Sequence, residues 1–141
     1  MTTNMAANSD CELRLTQSAS AATAYRIWYM APEASAALVA TNLVQEVMDR
    51  YPQRMTKDLV PHTHRCVMLI WVPKTEDEQE TLNRIYHWFQ AENWSANGEA
   101  RPLIEALRLA HTSMSIGDII EHVAANRFWI VADFGFTEIL Q

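Results

Sequence analysis

Hydrophobic and polar positions follow two rhythms along this chain. The run Ala24 to Met30 (AYRIWYM) concentrates aromatic and β-branched residues and predicts a strand. Pro32 suits the first turn of a helix, where its missing N–H would have no partner anyway. Ala36, Ala40, Leu43, Val44, Val47 and Tyr51 then recur at helical spacing before Pro52, predicting an amphipathic helix over about residues 33–50. Arg65 to Val72 (RCVMLIWV) is continuously apolar after its first residue and bounded by Pro61 and Pro73. Lacking alternation, it predicts a central strand covered on both faces. Earlier, Cys11 to Thr16 (CELRLT) alternates in polarity and predicts a short strand.

The second half begins with Thr75-Glu-Asp-Glu78, which has the form of a capping box, and Leu82, Ile85, Tyr86 and Phe89 supply the stripe of the helix behind it. Trp94 to Ala100 reads as a loop with a turn at Asn97-Gly98, and Pro102 opens a short third helix through Leu103, Ile104 and Leu107. His111 to Gly117 is a second polar loop, leading into Asp118–Val123. After a turn at Ala124–Asn126 come the strand Phe128–Ala132 and a last segment, Phe134–Ile139, where Gly135 marks a bulge or a bend. The order β-α-β-α-α-β-β predicts one α+β domain over residues 11–141, behind a flexible polar tail at 1–10. Its sheet is expected to be mixed or antiparallel, with about three helices packed on it and a C-terminal β-hairpin.

Composition narrows the function classes. A chain of 141 residues with 49% hydrophobic and 20% charged positions can bury a core without a disulfide or metal staple. Its longest apolar run, Cys66 to Val72, is far short of a membrane span of roughly twenty residues, and the N-terminus has no basic and apolar leader pattern. A cytoplasmic chain with reduced thiols at Cys11 and Cys66 is the expectation. Residues 1–72 carry six basic and six acidic side chains, whereas residues 73–141 carry five basic and eleven acidic, so the formal charge of −6 lies in the second half. That balance disfavours direct nucleic-acid binding, which needs cations for phosphates, and suits a basic protein surface. Nothing calls for a cofactor: the three glycines, Gly98, Gly117 and Gly135, are too far apart for a phosphate-cradling loop.

Candidate chemistry falls in a few places. In an extended strand His62, His64 and Cys66 would share one face, and all three are competent zinc ligands; a small metal-dependent hydrolase using His62, His64 and a carboxylate is the alternative reading. Against it stand the lack of a second ligand pair and the apolar setting of Cys66, which is expected to be inert as a nucleophile. Asp118, Asp133, Glu99 and His111 flank loops and strands, and their spacing fixes no acid–base geometry. Trp28, Trp71 and Trp129 lie in predicted strands and read as core, with Trp88 at the edge of the helical stripe. Trp94, between Asn93 and Asn97, is the candidate exposed anchor. With Asn97, Glu99 and the acidic cluster Glu76, Asp77 and Glu80 it forms the candidate partner-binding set. Glu76 to Glu80 also suit the positive end of a helix dipole.

The segment His111-Thr-Ser-Met-Ser-Ile-Gly-Asp118-Ile-Ile, continuing to Phe128–Phe136, resembles an S-M-S-x-G-D…G-F pattern in small proteins of plasmids, phages and integrative elements, the YodL-like domain among them. The likeness covers about thirty residues, and no catalytic role comes with it. Physically, Ser113 and Ser115 can order a turn, Gly117 can adopt a backbone conformation other residues resist, and Asp118 can anchor the loop before a buried strand. What the resemblance implies is an accessory protein of a mobile element. The expectation is a protein-binding module, an inhibitor of host defence of the anti-CRISPR or antirestriction type. Its partner would be a host or element protein, such as a nucleic-acid-binding defence complex; a homo-oligomer is a further option.

Overall fold

Strand pairing is antiparallel throughout a computed structural model of the protein, which describes residues 22–34, 55–74 and 77–141. Five strands, β1 (Ala22–Met30), β2 (His64–Pro73), β3 (Ile119–His122), β4 (Arg127–Val131) and β5 (Phe136–Ile139), form one sheet in the order β2-β1-β3-β4-β5. The expected α+β class and C-terminal hairpin are present, and the sheet is antiparallel rather than mixed. The apolar run at 65–72 is not central: among the described strands β2 stands at an edge, and β1 and β3 are interior. Apolarity on both sides of a strand reports that both its faces are covered, not where it sits in the hydrogen-bonding order.

Helical structure is more divided than expected. A 3-10 turn at Lys57–Leu59 leads into α1 (Val60–Thr63); α2 (Glu78–Trp88), α3 (Ala91–Trp94) and α4 (Arg101–Ala106) follow. These are five helical segments among the described residues between Lys57 and Ala106, in place of about three, and only α2 exceeds six residues. The helix expected over 33–50 lies outside the described residues beyond Ala34, where Pro32–Ala34 are helical. The strand expected at Cys11–Thr16, the tail at 1–10, Thr75 and Glu76 also lie outside them. The N-cap of α2 is Asp77, whose carboxylate accepts the N–H of Glu80 at 3.1 Å, so the cap sits two residues after the expected Thr75. Among the described residues no helix is long and apolar enough to cross a membrane.

Strand alternation divides the core into two layers. Tyr25, Ile27 and Tyr29 of β1, with Ile120, Trp129 and Val131, pack against Leu82, Ile85 and Phe89 of the α2 segment and Ile104 of α4. Ile119, Phe128, Ile130 and Ile139 face the other way, with Met55, Val60 and Trp28. A register shift between Ile27 and Trp28, opposite Met68 and Cys66, is a β-bulge that leaves Val67 unpaired in the ladder.

Candidate functional site

The 111–118 loop is pinned from five elements. Tyr29, fully buried on β1, donates its hydroxyl to the Thr112 carbonyl at 2.7 Å, and the Trp94 indole N–H of α3 reaches the same oxygen at 3.1 Å. Burial holds the Tyr29 phenol protonated far above its ordinary range. Beyond the end of α2, Phe89 accepts the N–H of Met114 at 2.9 Å, and the Gln90 amide donates to the Met114 carbonyl at 3.2 Å. The Ser113 hydroxyl accepts the N–H of Ala91, the first residue of α3, at 2.8 Å. From β2, the His64 ring closes a 2.6 Å bond on the Gly117 carbonyl. Gly117 donates its own N–H to Val131 of β4 at 2.9 Å, and Val131 returns its N–H to the Asp118 carbonyl at 2.8 Å. A 1% exposed Met114 anchors the loop in the core.

Within the loop, Asp118 is the hub. Its carboxylate is fully buried and accepts the N–H of Met30 through Oδ1 and that of Ser115 through Oδ2, both at 2.8 Å. Desolvation pushes its pKa up to about 8, against the pull of those two donors. His111 stacks on Tyr29 with ring centroids 5.1 Å apart; its Nδ1 lies 2.7 Å from the Ser113 carbonyl and its Nε2 3.9 Å from Asp118 Oδ2. Facing a carbonyl, Nδ1 must carry a proton, and Nε2 faces the Asp118 carboxyl group, not a nucleophile. The Ser115 hydroxyl donates to the Ser113 carbonyl at 3.0 Å. Gly117 sits at φ +96°, and a Cβ there would fall 2.4 Å from the Met30 methyl. Ser113, Ser115, Gly117 and Asp118 thus order a turn, as their residue types suggest. His111 and Asp118 have a structural arrangement rather than that of an acid–base pair aimed at a substrate.

His62, His64 and Cys66 are not brought together. His62 lies in α1 and is exposed; His64 opens β2, buried at 3%. The His64 ring is spanned by Thr63 Oγ1 on Nδ1, at 2.7 Å, and Gly117 on Nε2. Burial pulls its pKa down to about 4, so it is the neutral Nε2–H tautomer that donates to Gly117. Cys66 is disulfide-bonded, which corrects the expected reduced thiol; the only other cysteine in the sequence, Cys11, is outside the described residues. No group of three His, Cys, Asp or Glu side chains suited to a metal occurs among the described residues. The expected shared face fails because the chain is helical through Thr63, and alternation applies only from His64 onward.

Of the described candidate partner-binding residues, Asp77, Glu80, Asn97 and Glu99 are exposed and make local hydrogen bonds, and Trp94 is half-buried. The Trp94 ring lies 4.9 Å from that of Phe89 and serves the loop rather than standing out as an anchor. Asp77 caps α2, and Glu80 pairs with Arg84 at 2.8 Å one turn on. Glu99 accepts the N–H of Asn97 at 2.8 Å, the bond that chiefly holds its carboxyl below the ordinary range. Beside Asp77, Glu78 pairs with Arg127, which also binds Glu138 at 2.8 Å and lies over the Trp129 ring at 4.7 Å.

What the sequence reading missed is the tip of the last hairpin. Ala132 donates to the Gly135 carbonyl at 2.9 Å, closing a tight four-residue connection with Gly135 at φ +76°. Phe134 stands at the top of it, 96% exposed. Beside it runs a cleft of about 260 Å³ lined by Asn83, Tyr86, Ile116, Val131, Asp133 and Phe136. Ile116, carried on the 111–118 loop, is 46% exposed, and Tyr86 meets Phe136 edge-on at 6.2 Å. The only local signal in the sequence is an aromatic residue directly before a turn glycine, at Phe134-Gly135. Compared with known proteins, the chain matches no family model, no curated protein and no solved structure.

Proposed function

We propose that this protein is a binding module that docks on another protein through the β4–β5 tip and the adjoining cleft. The observation that carries the reading is Phe134, an almost fully exposed aromatic ring on a tight turn beside a cleft of mixed polar and apolar lining. Burying such a ring is worth roughly 1.5–3 kcal/mol, a gain forgone in the isolated chain and recovered against a partner. Aromatic side chains ringed by less critical contacts are the usual anchors of interfaces. Ile116 widens the patch, and the pinned loop beneath it fixes the two residues' relative position before binding, which lowers the entropy of docking.

Charge indicates the kind of partner. Asp133 borders the cleft, and the half of the chain that builds this surface carries the whole formal charge of −6. A basic surface with an apolar pocket fits it, such as the nucleic-acid-handling face of a host-defence complex. The resemblance of residues 111–136 to mobile-element proteins points in the same direction. Parallel affinity captures from a bacterial lysate with wild-type, Phe134→Glu and Ile116→Asp baits test the reading. The expected result is a basic protein retained by the wild type, released by salt and lost from both variants. Identical retention by all three baits contradicts it.

A further inference from the structure

We propose that the opposite face of the sheet carries a second, independent site, which binds a small aromatic carboxylate. A cavity of about 350 Å³ opens there, bordered by Arg26, Trp28, Lys57, Val60, Glu121 and Phe128. This lies within the roughly 300–1,000 Å³ of small-molecule sites, which pair apolar walls with a few converging polar groups. Glu121 is the unusual member. It occupies interior strand β3 and is only 6% exposed, at a position where the neighbouring pattern would place an apolar side chain. A carboxylate so placed is costly unless its oxygens are matched.

Both oxygens are matched by residues of the cavity wall. Oε1 accepts the Trp28 indole N–H at 2.9 Å, and Oε2 lies 3.4 Å from the Arg26 guanidinium. Glu121 therefore fixes the indole and holds the guanidinium at the cavity. Within the lining Glu121 offsets Arg26, and Lys57 adds a second cation, which Glu138 outside the lining also faces. The Lys57 ammonium donates to the Asn126 carbonyl at 2.8 Å, using one of three N–H bonds. A carboxylate of the ligand meets this cationic side, with the guanidinium fork suited to bind it in plane. Trp28 and Phe128, with Val60, provide apolar walls for a flat ring. A neutral aromatic compound lacks the first contact, and an aliphatic acid lacks the second.

The probe is 4-fluorobenzoate, titrated into the full chain and followed by fluorine NMR, with 4-fluorobenzamide as its uncharged counterpart. Saturable binding of the acid is expected, at least tenfold tighter than that of the amide. Arg26→Gln and Lys57→Gln are each expected to weaken the acid at least fivefold, with the wild-type circular dichroism spectrum retained. Lys57, nearer the surface, keeps the test decisive should Arg26→Gln fail to fold. Absence of acid binding at millimolar concentration, equal affinity for acid and amide, or wild-type affinity in Lys57→Gln overturns the proposal. Phe134→Glu is expected to bind the probe as the wild type does, which separates this site from the docking surface.

Discussion

Asp118 Oδ1 accepts the backbone N–H of Met30 at 2.8 Å, joining the end of β1 to the entrance of β3 across 88 residues of sequence. Asp118 Oδ2 takes Ser115 in the same way, so one carboxyl group closes the loop and docks it on the sheet. In Asp118→Asn one of the two oxygens becomes a donor facing an N–H. A buried donor without a partner costs about 1–3 kcal/mol. Urea unfolding is expected to show a loss of that size, and a change below about 0.5 kcal/mol would mean the carboxyl does not hold the loop.

The same carboxyl makes stability depend on pH in a window where most proteins show little change. Its pKa is raised from 3.8 to about 8 on folding, so its contribution is full below 3.8 and is lost as the pH rises through 8. His64 is lowered from 6.5 to about 4, so its contribution is full above 6.5 and is lost as the pH falls through 4. Between pH 4 and 6.5 the two slopes oppose each other, and from 6.5 to 8 that of Asp118 stands alone. Stability is therefore expected to fall between pH 6.5 and 8, by at most about 1.4 kcal/mol per pH unit. Asp118→Asn is expected to flatten that limb, and an unchanged slope in the variant would assign it elsewhere.

Gly117 is held at φ +96°, a conformation L side chains rarely adopt. Gly117→Ala carries a backbone cost of about 1–2 kcal/mol and must also displace the Met30 methyl. Thermal melting of this variant is expected to show a clear destabilisation, with the loss of near-ultraviolet signal where Tyr29 stacks on His111. Wild-type melting would mean that the turn relaxes freely.

Local features of the fold were legible, and long-range ones were not. The runs of β1 and β4 and the stripe of α2 could be recognised because periodicity encodes which side of an element is buried. Strand β3 is four residues long, Ile-Ile-Glu-His, and its interior position comes from pairing with strands at both sides of it in space. Trp94 looked exposed because its sequence neighbours are polar, yet its partners are Phe89 and the distant Thr112. Phe134 had the opposite history. In sequence it resembles the first residue of a strand, and only the closure of Ala132 on Gly135 puts it on a turn in solvent.

Phe134 touches little of its own fold, so its truncation separates binding from stability. Phe134→Ala is expected to unfold within about 0.5 kcal/mol of the wild type, as surface substitutions generally do. Destabilisation beyond 1 kcal/mol would show that the ring supports the hairpin instead of serving a partner.

Docking through the hairpin tip stands or falls on the affinity of that same variant. Titration of the captured partner with wild-type protein and with Phe134→Ala, at low and at high salt, measures it most directly. The prediction is a Kd at least about 30-fold weaker for Phe134→Ala, corresponding to an anchor worth about 2 kcal/mol, and wild-type binding that weakens as salt rises. A variant that binds within threefold of the wild type, at either salt concentration, would contradict the hairpin tip as the docking surface.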